Sequence, residues 1–223
     1  MKPLLVIWTA RRIPTCHMHF QRLTGVDKLW IYGHTECELA DLLPAFLQAH
    51  SEYTHATFVP DDGIVSQQAL DSVLMLAKEL DHVPTAVGGW SNCDFTHHYT
   101  NVGLTELVAP KPSSMSDYGH MLSIDELAER EHPFRAQFCG HSLFTMPTSL
   151  WIDDATRLAP ILPAPGYASD YAQCKRLREA GIELWIDPLA FVAHLKLDHL
   201  VGDTAGWKRL DLQTKKVELE VSA

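Results

Sequence analysis

The strongest constraint on the fold of this chain is the alternation of apolar runs and helical patterns in its first 80 residues. Short runs rich in β-branched and aromatic residues at Leu4–Trp8, Leu29–Tyr32 and Thr57–Val59 are typical of buried strands. Apolar residues recur at helical spacing over Glu36–His50 and again after Ser66. This β-α-β-α-β-α order predicts an α/β fold with a mostly parallel central sheet flanked by helices.

Composition disfavours several classes of protein. The chain carries 18 Lys and Arg residues against 28 Asp and Glu residues, a formal net charge of −10, which disfavours a protein held on nucleic acid by phosphate contacts. Its five cysteines are odd in number and form no Cys-x-x-Cys pair, which argues against a disulfide framework or a structural zinc site. No run approaches the roughly 20 apolar residues of a membrane span, and we expect a cytoplasmic protein.

The second half of the chain has further strands and helices around a loop-rich insertion. Residues 91–132 are irregular and rich in polar and histidine residues, as substrate-recognition loops often are. A helix is predicted to begin at Asp170 and to end at Gly181, which suits the C-terminal cap of a helix. Short strands are predicted over 182–186 and 191–194.

Two adjacent carboxylates, Asp61 and Asp62, follow the third predicted strand. Ligands of open α/β sheets bind at the carboxyl ends of the strands. Neighbouring carboxylates repel each other unless a cation or a bound hydroxyl compensates, so one interpretation is a divalent-metal site. The other interpretation is a solvated Asp-Asp-Gly turn, because both residue types are favoured in turns.

Four segments in sequence order resemble the family-2-like glycosyltransferases of GT-A (Rossmann-like) fold. Val6–Arg12 resembles the family's opening strand and its Thr-x-x-Arg loop, and Val59–Asp62 resembles its aspartate-rich metal motif. Gly140, with the apolar run after it, resembles the glycine-containing strand of the donor and acceptor pocket. Gly166–Trp185 is similar to the family's acidic motif with the helix and strand that follow. The resemblance covers roughly residues 4–200.

The resemblance implies an inverting enzyme that moves a sugar from a nucleotide-sugar, first of all a UDP-sugar, to an acceptor hydroxyl. It implies Mn²⁺ or Mg²⁺ as cofactor, with Asp62, Asp61 and His194 as ligands, and Asp170 as the general base. The acceptor stays open among a glycan, a lipid-linked sugar, a protein, a small molecule and a modified nucleobase. The implied donor contacts are Thr9, Arg12, His34, Asp61 and Gly140, and the expected acceptor contacts are Trp90, Asp94, His97 and His141.

The resemblance also implies a single domain over residues 1–200. Its nucleotide-sugar-binding half would lie at about 1–90, and its acceptor and catalytic half at 91–200. After that domain the chain turns polar, and residues 201–223 are predicted to form a C-terminal tail or a peripheral helix.

The chain departs from the family pattern at three places. Pro60 stands where the aspartate motif usually has its earlier acid, and Ser169 stands where a second acid is common. In the family, the second strand usually ends in an aspartate that contacts the base of the nucleotide, whereas here Gly33–Thr35 follow that strand. These departures leave open a catalytically inactive nucleotide- or sugar-binding module. A nucleotidyltransferase of related fold is a further alternative, although such enzymes normally have a glycine-rich, basic loop where Thr9–Pro14 has no glycine.

Overall fold

The computed structural model of the protein describes residues 1–9, 14–92, 99–105, 119–158, 169–194 and 216–222. The strands in these residues are β1 (Pro3–Thr9), β2 (Asp27–Tyr32), β3 (His55–Pro60), β4 (Gly63–Val65), β5 (Thr85–Trp90), β6 (Tyr99–Gly103), β7 (Met121–Ser123), β8 (Phe134–Ala136), β9 (Phe138–Cys139), β10 (Phe144–Pro147), β11 (Glu183–His194) and β12 (Lys216–Glu220). The helices are α1 (Pro14–Gln21), α2 (Glu36–Ala49), α3 (Gln67–Glu79), α4 (Ile124–Ala128), α5 (Thr148–Ile152) and α6 (Ser169–Glu179).

Strand β1 is buried on both of its faces. Leu4 and Val6 are fully buried in one hydrophobic core with residues of α2, α5 and α6, whereas Leu5 and Ile7 are fully buried in a second core with residues of α1 and α3. Successive side chains of a strand point to opposite faces, so helices must cover both sides of the sheet. The predicted α/β fold with flanking helices is confirmed.

Among the described residues, the central sheet has nine strands and mixed pairing. Its order is β12-β2-β1-β3-β10-β5-β11-β4, and β8 pairs with β11 off this path. β1 pairs in parallel with β2 and β3, and β5 pairs in parallel with β11, as the β-α-β pattern predicts. β10 lies antiparallel between β3 and β5, and β4, β8 and β12 also pair antiparallel. The sheet is therefore less parallel than predicted, because the chain enters β10 from a short turn and not from a helical crossover.

The two helices that flank β3 in the sequence begin at the residues that their patterns predict. The hydroxyl of Thr35 and the side chain of Glu38 form a capping box at the start of α2, and the Ser66 hydroxyl accepts a hydrogen bond from the backbone N–H of Ala69 at 3.0 Å. α2 continues through Pro44, where an interruption or a bend is predicted. Among the helices of the described residues, none is long and apolar enough to cross a membrane.

Strand β12 contradicts the prediction of a tail or a peripheral helix over 201–223. Residues Lys216–Glu220 pair antiparallel with β2 at the edge of the central sheet. Their charged and apolar residues alternate, which is the pattern of a strand with two unlike faces. Residues 201–215 lie outside the described residues.

A smaller sheet, which has three strands in the described part of the chain in the order β7-β6-β9, lies beside the central one. It places Asn101, in β6, next to the turn that leaves β9 at Gly140: the backbone N–H of Gly140 donates to the carbonyl of Asn101 at 2.9 Å. α6 follows on the same side of the molecule and ends before Gly181, whose φ of 74° suits glycine. Together these segments form one side of the cavity described next.

Candidate functional site

A cavity of about 270 Å³ lies where β1, β3 and β5 end. Apolar side chains of Trp8, Leu39, Phe58 and Leu158 line part of it. The structure brings five of the predicted site residues together in the wall of this one cavity, although they are far apart in sequence. They are Asp62, Gly140, His141, Asp170 and His194.

Asp62 and His194 form a pair at the carboxyl end of β3. β11 pairs antiparallel with β4, which places His194 opposite Gly63, the residue after Asp62. As a result, His194 Nε2 lies 3.1 Å from Asp62 Oδ2. The second carboxylate oxygen, Asp62 Oδ1, is buried and has no hydrogen-bond partner among the described residues. A buried carboxylate oxygen without a partner is costly, so a cation or a donor from a ligand would stabilise it.

Asp61 points into the protein. Its side chain is buried, and its Oδ2 accepts a hydrogen bond from the hydroxyl of Thr9 at 2.8 Å. Its backbone N–H donates to the carbonyl of Trp8 at 2.9 Å. These contacts join the end of β1 to the end of β3. Asp61 is not among the residues that line the cavity, so the two adjacent carboxylates have different surroundings.

The Asp62–His194 pair fits a divalent cation that takes most of its ligands from a substrate. Within the described residues, no group of three or more His, Cys, Asp or Glu side chains is placed to hold a metal. Mg²⁺ is commonly bound by one or two carboxylates together with phosphate oxygens and water, and it does not need a cage made of protein ligands alone. Asp62 Oδ1, which has no hydrogen-bond partner among the described residues, would be the protein oxygen at such a site.

Asp170 lies in the first turn of α6, and its carboxylate approaches Gly140. Its Oδ1 accepts a hydrogen bond from the backbone N–H of Tyr171 at 2.7 Å. A Cβ atom placed on Gly140 would lie 3.3 Å from Asp170 Oδ2 and 2.9 Å from Asn101 Nδ2. Only glycine leaves room for both side chains at this position. The sequence singles out Gly140 and Asp170, and the structure gives the physical reason for their proximity.

A buried polar network in the cavity wall escapes the sequence analysis. Asn101 Nδ2 donates to the carbonyl of Gly140 at 3.1 Å and to the Ser142 hydroxyl at 2.8 Å, and Asn101 Oδ1 accepts from the backbone N–H of Ser91 at 2.8 Å. The hydroxyls of Ser91 and Ser142 are 2.6 Å apart. Single polar residues at strand ends form no recognisable pattern, so the sequence offers no signal for this network.

His141 is the most enclosed ionisable group in the cavity wall. Its side chain lies among aromatic rings, with ring centroids 5.4 Å from Phe58, 5.0 Å from Phe144 and 6.5 Å from Trp151. Burial lowers the pKa of His141 to about 3, and the neighbouring Gln173 side chain opposes this shift. The imidazole is therefore neutral at physiological pH.

The other predicted contacts do not line the cavity or lie outside the described residues. Thr9 bonds to Asp61 as described above. The backbone carbonyl of His34 accepts a hydrogen bond from Trp8 Nε1 at 2.7 Å, and Trp90 Nε1 donates to the carbonyl of Pro188 at 2.9 Å. None of these three predicted residues is in the cavity wall. The residues outside the described part of the chain are Arg12, Asp94 and His97.

Comparisons with known proteins bear on the fold and not on the activity. No family model and no curated protein matches the chain. Among solved structures, the crystal structure of A197 from STIV superposes with a TM-score of 0.54 at 13% identity, over 84% of this chain and 82% of that one. CMP:2-keto-3-deoxy-manno-octonic acid synthetase complexed with CTP superposes with a TM-score of 0.48 at 12% identity, over 86% of this chain and 90% of that one. At these identities the chain shares an overall α/β fold with A197.

Proposed function

We propose that this protein is a glycosyltransferase that binds a nucleotide-sugar and transfers its sugar, with inversion, to an acceptor hydroxyl. The observation that supports this proposal is that Asp62, His194 and Asp170 line one cavity at the carboxyl end of the sheet. Asp62 lines the cavity and has a carboxylate oxygen without a hydrogen-bond partner among the described residues, and Asp170 is a separate carboxylate in the same wall. Asp62 can thus hold a cation that neutralises the leaving diphosphate, while Asp170 accepts the proton of the acceptor hydroxyl.

In this proposal each residue has one task. Asp170 accepts the proton of the acceptor hydroxyl as that oxygen forms a bond to the anomeric carbon of the sugar. The bond from the anomeric carbon to the diphosphate oxygen breaks, and the diphosphate leaves with the electron pair. Asp62 and His194 would hold Mn²⁺ or Mg²⁺, which neutralises the charge of the diphosphate when it is bound. Gly140, which lacks a side chain, would leave room for the Asp170 carboxylate.

The first test is binding of nucleotides. Thermal unfolding is measured with UDP, GDP, CMP and dTDP, each with and without Mn²⁺. A ligand present at about 100 times its dissociation constant stabilises the folded state by about 2.7 kcal/mol. A metal-dependent shift with one of these nucleotides supports the proposal and identifies the base of the donor. The absence of a shift with all four would contradict it.

The second test separates glycosyl transfer from the alternatives by product. Release of a nucleoside diphosphate from a nucleotide-sugar, lost in Asp170→Asn, is expected for the transferase. Release of pyrophosphate from a nucleoside triphosphate and a sugar phosphate would indicate a nucleotidyltransferase instead. Binding without either product would indicate an inactive binding module. Asp125→Asn is the matched control, because Asp125 is also an acidic residue in the first turn of a helix but is exposed on α4.

A further inference from the structure

Three polar side chains of the cavity wall are fixed by one another. Ser91, Asn101 and Ser142 line the cavity; Ser91 and Asn101 are buried, and Ser142 is half-buried. Asn101 Oδ1 accepts from the backbone N–H of Ser91, and Asn101 Nδ2 donates to the Gly140 carbonyl and to the Ser142 hydroxyl. Only this orientation of the amide is possible, because the backbone N–H can only donate and the carbonyl can only accept. Ser142 Oγ therefore accepts a hydrogen bond from Asn101.

The hydroxyl groups of Ser91 and Ser142 can form more hydrogen bonds than this network uses. Their oxygen atoms lie 2.6 Å apart, so one hydroxyl donates to the other. Two hydroxyl groups together carry two hydrogens and four lone pairs. The bond between them and the bond from Asn101 use one hydrogen and two lone pairs. Whichever serine donates, the pair can therefore still donate one hydrogen bond to a ligand and accept others from it.

Ser142 lies between the two acidic residues to which the proposed function gives tasks. In the chain it stands between Gly140, which lies beside the Asp170 carboxylate, and β10, which pairs with β3. Asp62 follows β3 at the same edge of the sheet. In the proposed reaction the transferred sugar lies between the diphosphate, held at Asp62, and the acceptor hydroxyl, held at Asp170. The serine pair is therefore placed where the donor sugar would be bound.

We infer that the hydroxyl pair of Ser91 and Ser142 binds a hydroxyl group of the donor sugar. This inference rests on the proposed function and names two residues that recognise the sugar. A sugar hydroxyl both donates and accepts hydrogen bonds, which matches the capacity that remains on the serine pair. The bonds from Asn101 fix the network before a ligand binds, so little conformational freedom is lost on binding.

A purely structural role is the competing explanation of the serine pair. The network joins the end of β5 to β6 and to the turn at Gly140, and it could have no other task. The hydroxyls of Thr57 and Thr145 form a similar pair, 2.8 Å apart, but both residues are buried in the central sheet and neither lines the cavity. Thr145→Val is therefore the matched control, because it breaks a hydroxyl pair that no ligand in the cavity contacts.

The experiment separates binding of the sugar from binding of the nucleotide by titration calorimetry with Mn²⁺. The sugar nucleotides are UDP-glucose, UDP-galactose, UDP-N-acetylglucosamine, GDP-mannose, dTDP-glucose and CMP-N-acetylneuraminic acid, and each is compared with its free nucleotide. Ser142→Ala, and Ser91→Ala as a second variant, should each weaken binding of the sugar nucleotide that the wild type binds most tightly by about tenfold. Neither variant should change the affinity for the free nucleotide. Thr145→Val should change neither affinity.

Deoxy analogues test whether a sugar hydroxyl is the group that is bound. Forms of the same sugar nucleotide that each lack one hydroxyl group of the sugar are measured with the wild type and with Ser142→Ala. One form should bind the wild type about tenfold more weakly than its parent, and Ser142→Ala should not weaken that form further. The other forms should still bind about tenfold more weakly to the variant. A purely structural role of Ser142 would weaken every form by the same factor.

The outcomes separate this inference from the proposed function. The inference alone is overturned if both serine variants bind the sugar nucleotide like the wild type, if they weaken the free nucleotide equally, if every deoxy form is weakened alike, or if Thr145→Val has the same effect. Binding of a free nucleotide without binding of any of the sugar nucleotides also overturns it. If neither a nucleotide nor a sugar nucleotide binds the wild type, the proposed function fails and the inference fails with it. The melting temperatures of the unliganded variants establish that each one is folded.

Discussion

Acidification from pH 7 to pH 5 should destabilise this protein through His141. Burial among aromatic rings lowers the pKa of His141 to about 3 from its ordinary value of 6.5, and only Gln173 opposes this shift. Between pH 7 and pH 5, His141 of the unfolded chain binds a proton, whereas His141 of the folded protein stays neutral. The contribution of His141 to stability is therefore complete above pH 6.5 and is lost progressively as the pH falls towards 3.

The size of the loss follows from the same two pKa values. Folded His141 stays neutral from pH 7 to pH 5, so the change in stability over this range comes from protonation of the unfolded histidine alone. That protonation favours the unfolded state by about 2 kcal/mol at pH 5 relative to pH 7. The effect is large against the 5–15 kcal/mol by which folded domains are usually stable.

Urea unfolding at the two pH values, followed by tryptophan fluorescence, measures this loss. The proteins are the wild type, His141→Gln, and His132→Gln as a control at an exposed histidine. Burial also lowers the pKa of His55, but His55 is present in all three proteins, so its effect cancels in the comparison. His141→Gln should lose about 2 kcal/mol less than the other two. Equal losses in all three proteins would refute the reasoning.

Three further predictions concern the contacts around the cavity. Gly88→Ala should destabilise the folded protein by about 1–3 kcal/mol and lower its melting temperature, because the added Cβ would lie 2.6 Å from Cys139 Sγ. An unchanged melting temperature would show that this position is not tightly packed. Thr9→Val should lower the free energy of unfolding, measured with urea, by about 1.5–3 kcal/mol, because it removes the hydroxyl that donates to the buried Asp61 carboxylate. An unchanged free energy of unfolding would contradict that account. Asn101→Ala removes three hydrogen bonds and should cost about 3 kcal/mol, again by urea unfolding; a loss under about 1 kcal/mol would show that the network contributes little.

Much of the first half of the fold follows from local patterns in the sequence. The apolar run at Leu4–Trp8 predicts a strand that is covered on both faces, and Ser66 marks the start of α3. The antiparallel position of β10 between β3 and β5 does not follow from local patterns, because it depends on which strands pair with Phe144. Phe144 pairs with Phe58 of β3 and with Gly88 of β5, and both are more than 50 residues away in sequence. Local periodicity contains no information about such long-range pairing.

The sequence indicates those residues of the candidate site that lie at the ends of recognisable elements. Asp62 and Asp170 stand out because each lies at the end or the start of a recognisable element, and the structure places both in one cavity. Asn101 could not be identified in this way, since its importance comes from three hydrogen bonds to segments distant from β6. Whether these residues bind a donor remains a prediction that the nucleotide panel tests.

The pairing of β12 with β2 determines how the chain can be shortened for laboratory work. Glu220 Oε1 lies 3.3 Å from Lys28 Nζ, and the backbone N–H and hydroxyl of Ser222 both donate to Asp27, at 2.8 and 2.9 Å. Deletion of this strand would leave the backbone groups of β2 without their partners along a whole edge, and such an edge recruits other chains. A shortened protein that lacks β12 should therefore precipitate or form multimers.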